Sequence, residues 1–377
     1  MKKENFYQKP TDASRVKQAI VATYFGAWKN VLKTWGNSPK LGYADLYSGP
    51  GIYADGSYST PLLILKQAIE DDYLAAKLIA VFNDGDPKLA SELRKNISAL
   101  PGIERLQNEP KVYEYSVSET VINLAPKIPT LLFADPWGYK GFSIGLIKAF
   151  LGIAGSDCVF FFNYNRINAG LGWEGFDEPL DLVFGRQRAE ALRSKVQGLA
   201  PSQREQVVVT EMKEALTEIG ARCALLFRFI SAKADRTSHH LLFASKNPKG
   251  CMIMKDVMRN RSSSLVQGLG TFEFTGATPV PEQFLIPGLG VGPLDELRED
   301  LARKFEGKTV SFKQLLSQDQ HPTAAERNYK DAILQLEDKG RVNIHVYGRP
   351  RRRVKGRLTL PGDALITFRK PSGEQNG

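Results

Sequence analysis

Tyr43-Ala44-Asp45-Leu46-Tyr47-Ser48-Gly49-Pro50-Gly51 constrains the fold of this chain more than any other stretch, because a short apolar strand runs directly into a tight turn holding two glycines. Such a turn bares the backbone, so a nucleotide-bearing ligand can approach where a side chain would block it. Downstream, Lys77-Leu78-Ile79-Ala80-Val81-Phe82 reads as a second strand and ends in Asn83-Asp84-Gly85-Asp86-Pro87, which places a carboxylate to grip a ribose diol. Strand, glycine turn, helix, strand and acid are the parts of a Rossmann-type nucleoside site in an α/β fold.

The glycine spacing departs from the dinucleotide pattern G-x-G-x-x-G: Ile52-Tyr53-Ala54 follows Gly51, and no third glycine closes against a diphosphate. The turn therefore favours S-adenosylmethionine over a nicotinamide dinucleotide, and Asp45, just before it, suits a methionine ammonium. The candidate cofactor residues are Asp45, Tyr47, Gly49, Pro50, Gly51, Asp84, Asp86 and Ser116. A purely structural glycine turn is the alternative.

Pro129-Thr130-Leu131-Leu132-Phe133-Ala134 reads as a fully buried strand, followed at once by Asp135-Pro136-Trp137-Gly138-Tyr139. Ligands bind at this carboxyl end of a doubly wound sheet. The cluster resembles the Asp-Pro-Pro-Tyr motif of amino-methyltransferases and the Asp-Pro-Phe-Gly of tRNA N2-dimethylguanosine methyltransferases. That resemblance implies catalytic roles for Asp135, Pro136, Trp137 and Tyr139: a carboxylate that holds an exocyclic amine and a ring that stacks on a flipped base. The competing role for Asp135 is a helix N-cap with proline at the first helical position. Asn163-Tyr164-Asn165-Arg166-Ile167-Asn168, at the exit of a fifth strand Ser156 to Asn163, places further hydrogen-bonding groups at the same edge; it reads either as a base-reading cluster or as an ordinary polar loop. Trp173 and the acidic stretch Glu174 to Asp181 are candidates for a lid.

At 377 residues with 42% hydrophobic content, the chain is long enough for two domains. It has no apolar run long enough for a membrane span and its start lacks the apolar core of a signal peptide, so a cytoplasmic protein is expected. Cys158, Cys223 and Cys251 lie singly and are expected as buried free thiols. No metal-ligand set joins them to His239, His240, His321 and His345, and the adjacent pair His239-His240 is expected on opposite faces of a strand.

The net charge of +10 points to a polyanionic partner. Residues 293–377 hold 17 Lys and Arg against 12 Asp and Glu, a net of +5, and the run Arg349 to Arg357 carries six cations and no acid. Around it the pattern is that of a winged helix: Leu294, Leu297, Leu301 and Phe305 at helical spacing, a helix opened by Ser311, a longer one from Thr323 to Lys339-Gly340, then strands Arg341 to Tyr347 and Arg357 to Leu360. In this fold the third helix enters a groove and the wing meets the backbone. Arg327, Asn328 and Lys330 are the expected readers, and Arg349, Arg351, Arg352, Arg353, Lys355 and Arg357 the phosphate clamp. A protein-docking module is the alternative.

Residues 278–292, rich in proline and glycine, form the expected linker between a domain over 1–277 and another over 293–377. A closing strand pair, Ala224 to Ser231 and His239 to Ser245, completes the first. With these parts assembled, the chain resembles the three-Cys-motif partner protein family (TcmP). The resemblance rests on Tyr24 and Trp28, the Asp45 to Gly51 turn, Thr60-Pro61-Leu62, Asp135-Pro136-Trp137-Gly138, His240-Leu241-Leu242-Phe243, Asn247-Pro248-Lys249-Gly250 and the basic end. Ser59-Thr60-Pro61 replaces a usual Gly-Ser-Pro, and Trp137 a usual Phe. The resemblance implies a partner with a three-cysteine motif, similar to a radical S-adenosylmethionine enzyme, and no settled reaction. The expectation is a Rossmann methyltransferase-type core with a C-terminal winged helix, modifying a base amino group of DNA or RNA; the competing class is a non-catalytic subunit that delivers such a radical enzyme to nucleic acid.

Overall fold

The computed structural model describes residues 7–35, 40–117, 127–136, 143–231, 236–276, 292–319, 321–354 and 357–370. They form two units, Met1–Val257 with Phe274–Gly276, and Met258–Glu273 with Ala277–Gly377. Residues 258–273, expected with the first domain, thus group with the second. Local contacts explain this: Gln267 accepts the Leu294 N–H at 3.0 Å and donates to Asp295 at 2.6 Å, and Gly268 accepts from the Asn328 amide at 3.0 Å.

In the first unit, β1 (Leu41–Asp45), β2 (Leu78–Asn83), β3 (Lys111–Tyr113), β4 (Thr130–Ala134), β5 (Asp157–Phe162), β6 (Cys223–Ser231) and β7 (Arg236–Ser245) form one sheet in the order β6-β7-β5-β4-β1-β2-β3, extended past β6 by Phe274. The pairs β1–β2, β2–β3, β1–β4 and β4–β5 are parallel, while β7 runs antiparallel to both neighbours. Every residue of β1 and β4 is buried, as strands covered on both faces require. The chain leaves β1 toward β2 on one side and reaches β4 on the other, so the crevice for a ligand opens at the carboxyl ends of β1 and β4.

The helix Asp12–Lys33 begins at Thr11, whose hydroxyl accepts the Ser14 N–H at 3.1 Å, and buries Ile20, Val21, Tyr24, Phe25, Trp28 and Leu32 at helical spacing. Tyr24 donates to Asp157 at 2.6 Å, and its ring meets Phe243 edge-on at 4.8 Å. Burial pushes the Asp157 carboxyl up to about 6, against the lowering effect of its hydrogen bonds from Ser245 and Tyr24. The folded state therefore binds this proton more tightly than the unfolded chain. Its stabilising contribution is complete below about pH 4 and is lost as pH rises through about 6. Asp157→Asn keeps an acceptor for Tyr24 and does not ionise. Its stability, followed by denaturant melts across pH 4–7, should lose up to about 3 kcal/mol less than the parent over that span; parallel curves would refute the assignment.

Cys158 is a buried free thiol as expected, but Cys223 and Cys251 form a disulfide. The pairing joins the start of β6 to the helix Pro248–Arg259, which the fold brings to a Cα separation of 5.9 Å across 28 residues of sequence. No local spacing announces such a contact. Within the stretch considered as a lid, Asp177–Phe184 is a helix that buries Leu180, Val183 and Phe184, so its apolar side belongs to the core.

The second unit holds the helices Pro293–Lys304, Phe312–Gln318 and Glu326–Asp338, with Leu297, Leu301, Phe305, Leu315, Tyr329, Ile333 and Leu336 buried. Ser311 caps the second of them as expected, in a reciprocal pair with Gln314. The third starts at Glu326 rather than Thr323, because His321 Nδ1 accepts the Ala324 N–H at 3.1 Å and Asn328 Oδ1 accepts that of Ala325 at 3.0 Å. The expected strand pair is also revised. β12 (Val342–His345) pairs not with Arg357 to Leu360 but with β15 (Leu365–Phe368), which pairs on its other side with β11 (Thr309–Ser311). The arginine run instead carries its own small hairpin, β13 (Arg353–Val354) with β14 (Arg357–Leu358).

Candidate active site and winged helix

The ends of β1, β2, β4 and β5 and the helix Asp12–Lys33 shape the site of the first unit. Gly49 and Gly51 take φ of +62° and +85°, a left-handed backbone that glycine adopts without strain. The turn is held from the neighbouring strand: Asp84 accepts the Gly49 N–H at 3.0 Å and, through its other oxygen, the Asp86 N–H at 2.9 Å. Ser48 donates to the Asn83 carbonyl at 3.0 Å, and the Asn83 amide bonds both Leu46 and Tyr115. The acid at the end of β2 is thus wired to the glycine turn at the end of β1.

A cavity of about 380 Å³ opens at the ends of β1, β4 and β5, with Asp45, Tyr47, Gly49, Asp135, Pro136 and Phe161 in its wall. Asp45 is 1% exposed and accepts the Tyr47 N–H at 3.2 Å. Burial holds its carboxyl well above the usual range, and repulsion from Asp135 and Asp84 adds to this. Asp45 thus senses the other two acids across the crevice, while the Lys17 ammonium offsets the charge of Asp135.

The other sequence-predicted positions divide. Pro50 is buried, with its carbonyl accepting from Asn96 at 2.7 Å, and Asp86 is the N-cap of the helix Pro87–Ser98, accepting the Lys88 N–H at 3.1 Å. Ser116 is exposed beyond β3. Trp137 and Tyr139 lie outside the described residues. The clusters expected at the exit of β5 are brought to the site in part: Asn163 and Arg166 line the cavity, while Asn163 also caps the helix Tyr164–Gly170. His239 and His240 face opposite ways, the first packed between a tilted Phe161 ring at 4.4 Å and a stacked Phe229 ring at 4.5 Å, the second bonded to Glu205 at 3.1 Å. Burial and the nearby Lys17 ammonium push His239 down to about 2, so it is neutral at neutral pH.

Lys17 and Tyr7 were missed. The Lys17 side chain is 10% exposed, forms an ion pair with Asp135, and lies 4.5 Å from the centre of the Phe161 ring. Its only signal in the sequence is a cation on the apolar face of its helix, three residues before Ile20 and four before Val21. The Tyr7 ring packs over Gly49, where an added Cβ would meet it at 2.9 Å. Nothing near Tyr7 in sequence points there.

In the second unit the expected nucleic-acid residues also divide. Arg327 is exposed on the helix Glu326–Asp338. Lys330 pairs with Glu326 at 2.8 Å and lies over Phe312. Asn328 is 1% exposed and caps its own helix, so it reads no base. Arg349 makes a two-pronged pair with Asp363 at 3.0 Å, and Arg351, 10% exposed, is held by Glu337 and the Thr359 carbonyl. These two arginines also fasten the wing to its own unit. Arg352 and Arg353 are exposed, the Arg357 backbone forms β14, and Lys355 lies outside the described residues.

Among solved structures the chain is similar to a protein from Legionella pneumophila, at 12% identity over 65% of this chain and 91% of that one, with a TM-score of 0.37. It is similar to the magnesium protoporphyrin IX methyltransferase of Synechocystis PCC 6803 with bound S-adenosylmethionine at 12% identity, 64% and 84% coverage and a TM-score of 0.32. For the METTL16 methyltransferase domain the figures are 12%, 63%, 70% and 0.31. No curated protein matches the chain. Residues 290–345 match the model of the GMT-like wHTH domain family. The chain thus carries a stretch that matches a winged-helix family model, and beside it a mixed α/β unit with a parallel-rich central sheet.

Proposed function

We propose that the first unit binds S-adenosylmethionine and methylates a base amino group of DNA or RNA that the second unit holds. The observation that carries this reading is the crevice itself: Asp84 wired to Gly49 behind it, and Asp45 and Asp135 in one cavity at the carboxyl ends of β1 and β4. The donor set fits the cofactor. Asp84, at the end of β2, has the residue type that accepts from a ribose diol, and a ligand that carries an ammonium and a sulfonium relieves the repulsion that Asp45 receives from Asp135 and Asp84. Bound there, S-adenosylmethionine supplies an electrophilic methyl group. Tyr7, packed over Gly49, would form one wall or swing aside.

A base amine has its lone pair delocalised into its ring, so an acceptor must hold the N–H groups and turn the nitrogen out of conjugation. Asp135 has the type and position for this. Its Oδ2 is now held by Lys17, which must release it for an amine to enter. Asp135→Asn is expected to lower methyl transfer to mixed DNA and RNA at least 100-fold, a far larger effect than any on cofactor affinity or melting temperature, which are measured alongside because the variant leaves the Lys17 ammonium without its ion-pair partner. A labelled-methyl assay checks this, and retained transfer in the variant would sink the role of Asp135.

One observation favours a second reading. The Lys17 ammonium sits where an amine substrate would bind, which suits a non-catalytic chain that keeps the cofactor fold and delivers a three-cysteine-motif enzyme, similar to a radical S-adenosylmethionine enzyme, to nucleic acid. Absence of transfer with and without such a partner, alongside intact cofactor binding, would select it.

A further inference from the structure

Tyr347 is the most exposed large apolar side chain among the described residues, at 73%, and Val354 in the wing hairpin is 54% exposed. The Tyr347 ring is propped rather than loose. It lies 4.5 Å from the His345 ring at 79°, at the point where β12 ends, and Gly348 turns the chain directly after it with φ of +74°. The segment that follows is tied down by Arg349 on Asp363, by Arg351 on Glu337 and the Thr359 carbonyl, and by the Thr359 N–H on the Arg352 carbonyl at 2.9 Å. A ring held out into water on a braced support is ready for a planar partner.

The charge around it selects that partner. Residues 341–357 contain seven Lys and Arg and no acid, and Arg352 is exposed without a carboxylate partner among the described residues. We propose that Tyr347 is a base-stacking residue: the wing engages nucleic acid at an unstacked base, in a single strand or an open junction, with Tyr347 on the base and Arg352 on the adjoining phosphate. Every base offers a π-face, so this contact adds affinity without sequence preference. The proposal rests on the reading that the second unit binds nucleic acid, and it assigns the conformation of the strand that is bound.

Stacking and phosphate contacts separate in a salt series, because only the latter release counterions. The full chain is titrated with a short fluorescent single strand and with the fully paired duplex of the same sequence. Tyr347→Ala is expected to weaken single-strand binding roughly 5- to 100-fold with an unchanged slope of log affinity against log salt. Tyr347→Phe retains the affinity, and duplex binding is unaffected by either. Arg352→Ala instead flattens the slope by about 0.7 on the single strand. Equal affinities of Tyr347→Ala and the parent would overturn the proposal, as would an equal loss in Tyr347→Phe, which makes the hydroxyl the contact, or a flattened slope in Tyr347→Ala. If the parent chain binds neither oligonucleotide at any salt concentration, the nucleic-acid reading falls with it and Tyr347 belongs to a protein-docking face. Intact S-adenosylmethionine binding in that case shows that the reading of the first unit survives.

Discussion

Gly51→Val is expected to lower the melting midpoint of the first unit by roughly 5–15 °C. Three effects add. Gly51 has φ of +85°, a conformation that costs an ordinary residue about 1–2 kcal/mol and a β-branched one more. A Cβ there would lie 2.7 Å from Leu93 and 3.3 Å from Leu62, both fully buried, so the crowding is against core side chains that cannot move into solvent. Overpacking of this kind costs about 1–3 kcal/mol. The sum, about 2–5 kcal/mol, corresponds to several degrees for each kcal/mol in a unit of this size. From sequence alone the lesion looks like an intrusion into cofactor space, whereas the structure places it in the core. Calorimetric melts without ligand decide between the two: an unchanged midpoint combined with lost cofactor binding would restore the first explanation.

Asp84→Ala should weaken S-adenosylmethionine or S-adenosylhomocysteine binding by roughly 10- to 150-fold, as loss of about 1.5–3 kcal/mol from a charge-assisted contact implies. The structure adds a second route to the same loss. Asp84 also accepts the N–H groups of Gly49 and Asp86, so alanine leaves two backbone donors without their acceptor and slackens the turn that would face the cofactor. Asp84→Asn separates the routes. It preserves one acceptor oxygen but presents N–H donors where a diol and an amide also donate, so its affinity should fall nearly as far as that of alanine. Titration calorimetry on both variants is the check, and affinity equal to the parent in either would remove Asp84 from the site.

Much of this architecture was legible because the patterns that specify it are local. Apolar runs at Leu41 to Ala44, Leu78 to Phe82, Leu131 to Ala134 and Cys158 to Phe162 are what buried parallel strands require, and the periodic Leu297, Leu301, Tyr329, Ile333 and Leu336 mark the winged-helix core. Gly49, Gly51 and Asp84 were legible for the same reason: a turn that needs positive φ selects glycine, and the acid closes the next strand. What the sequence could not express were contacts between segments far apart in the chain. Lys17 reaches Asp135 across 118 residues, and Cys223 reaches Cys251 only after β6 and the helix Pro248–Arg259 have packed. In the same way Val342–His345 found Leu365–Phe368 rather than the nearer arginine-rich segment, and Arg351 turned inward to Glu337.

The sequence by itself therefore determined the elements, their apolar faces, the special backbone at Gly49 and Gly51, and the residue types at the strand ends. The tertiary structure decided which charges are spent on one another. Asp135 with Lys17, and Arg349 and Arg351 with Asp363 and Glu337, are indistinguishable in one dimension from groups waiting for a ligand. The reason is physical: burial and periodicity are read from neighbours along the chain, whereas the partner of a charge is set by distance in space, which only the packed fold defines.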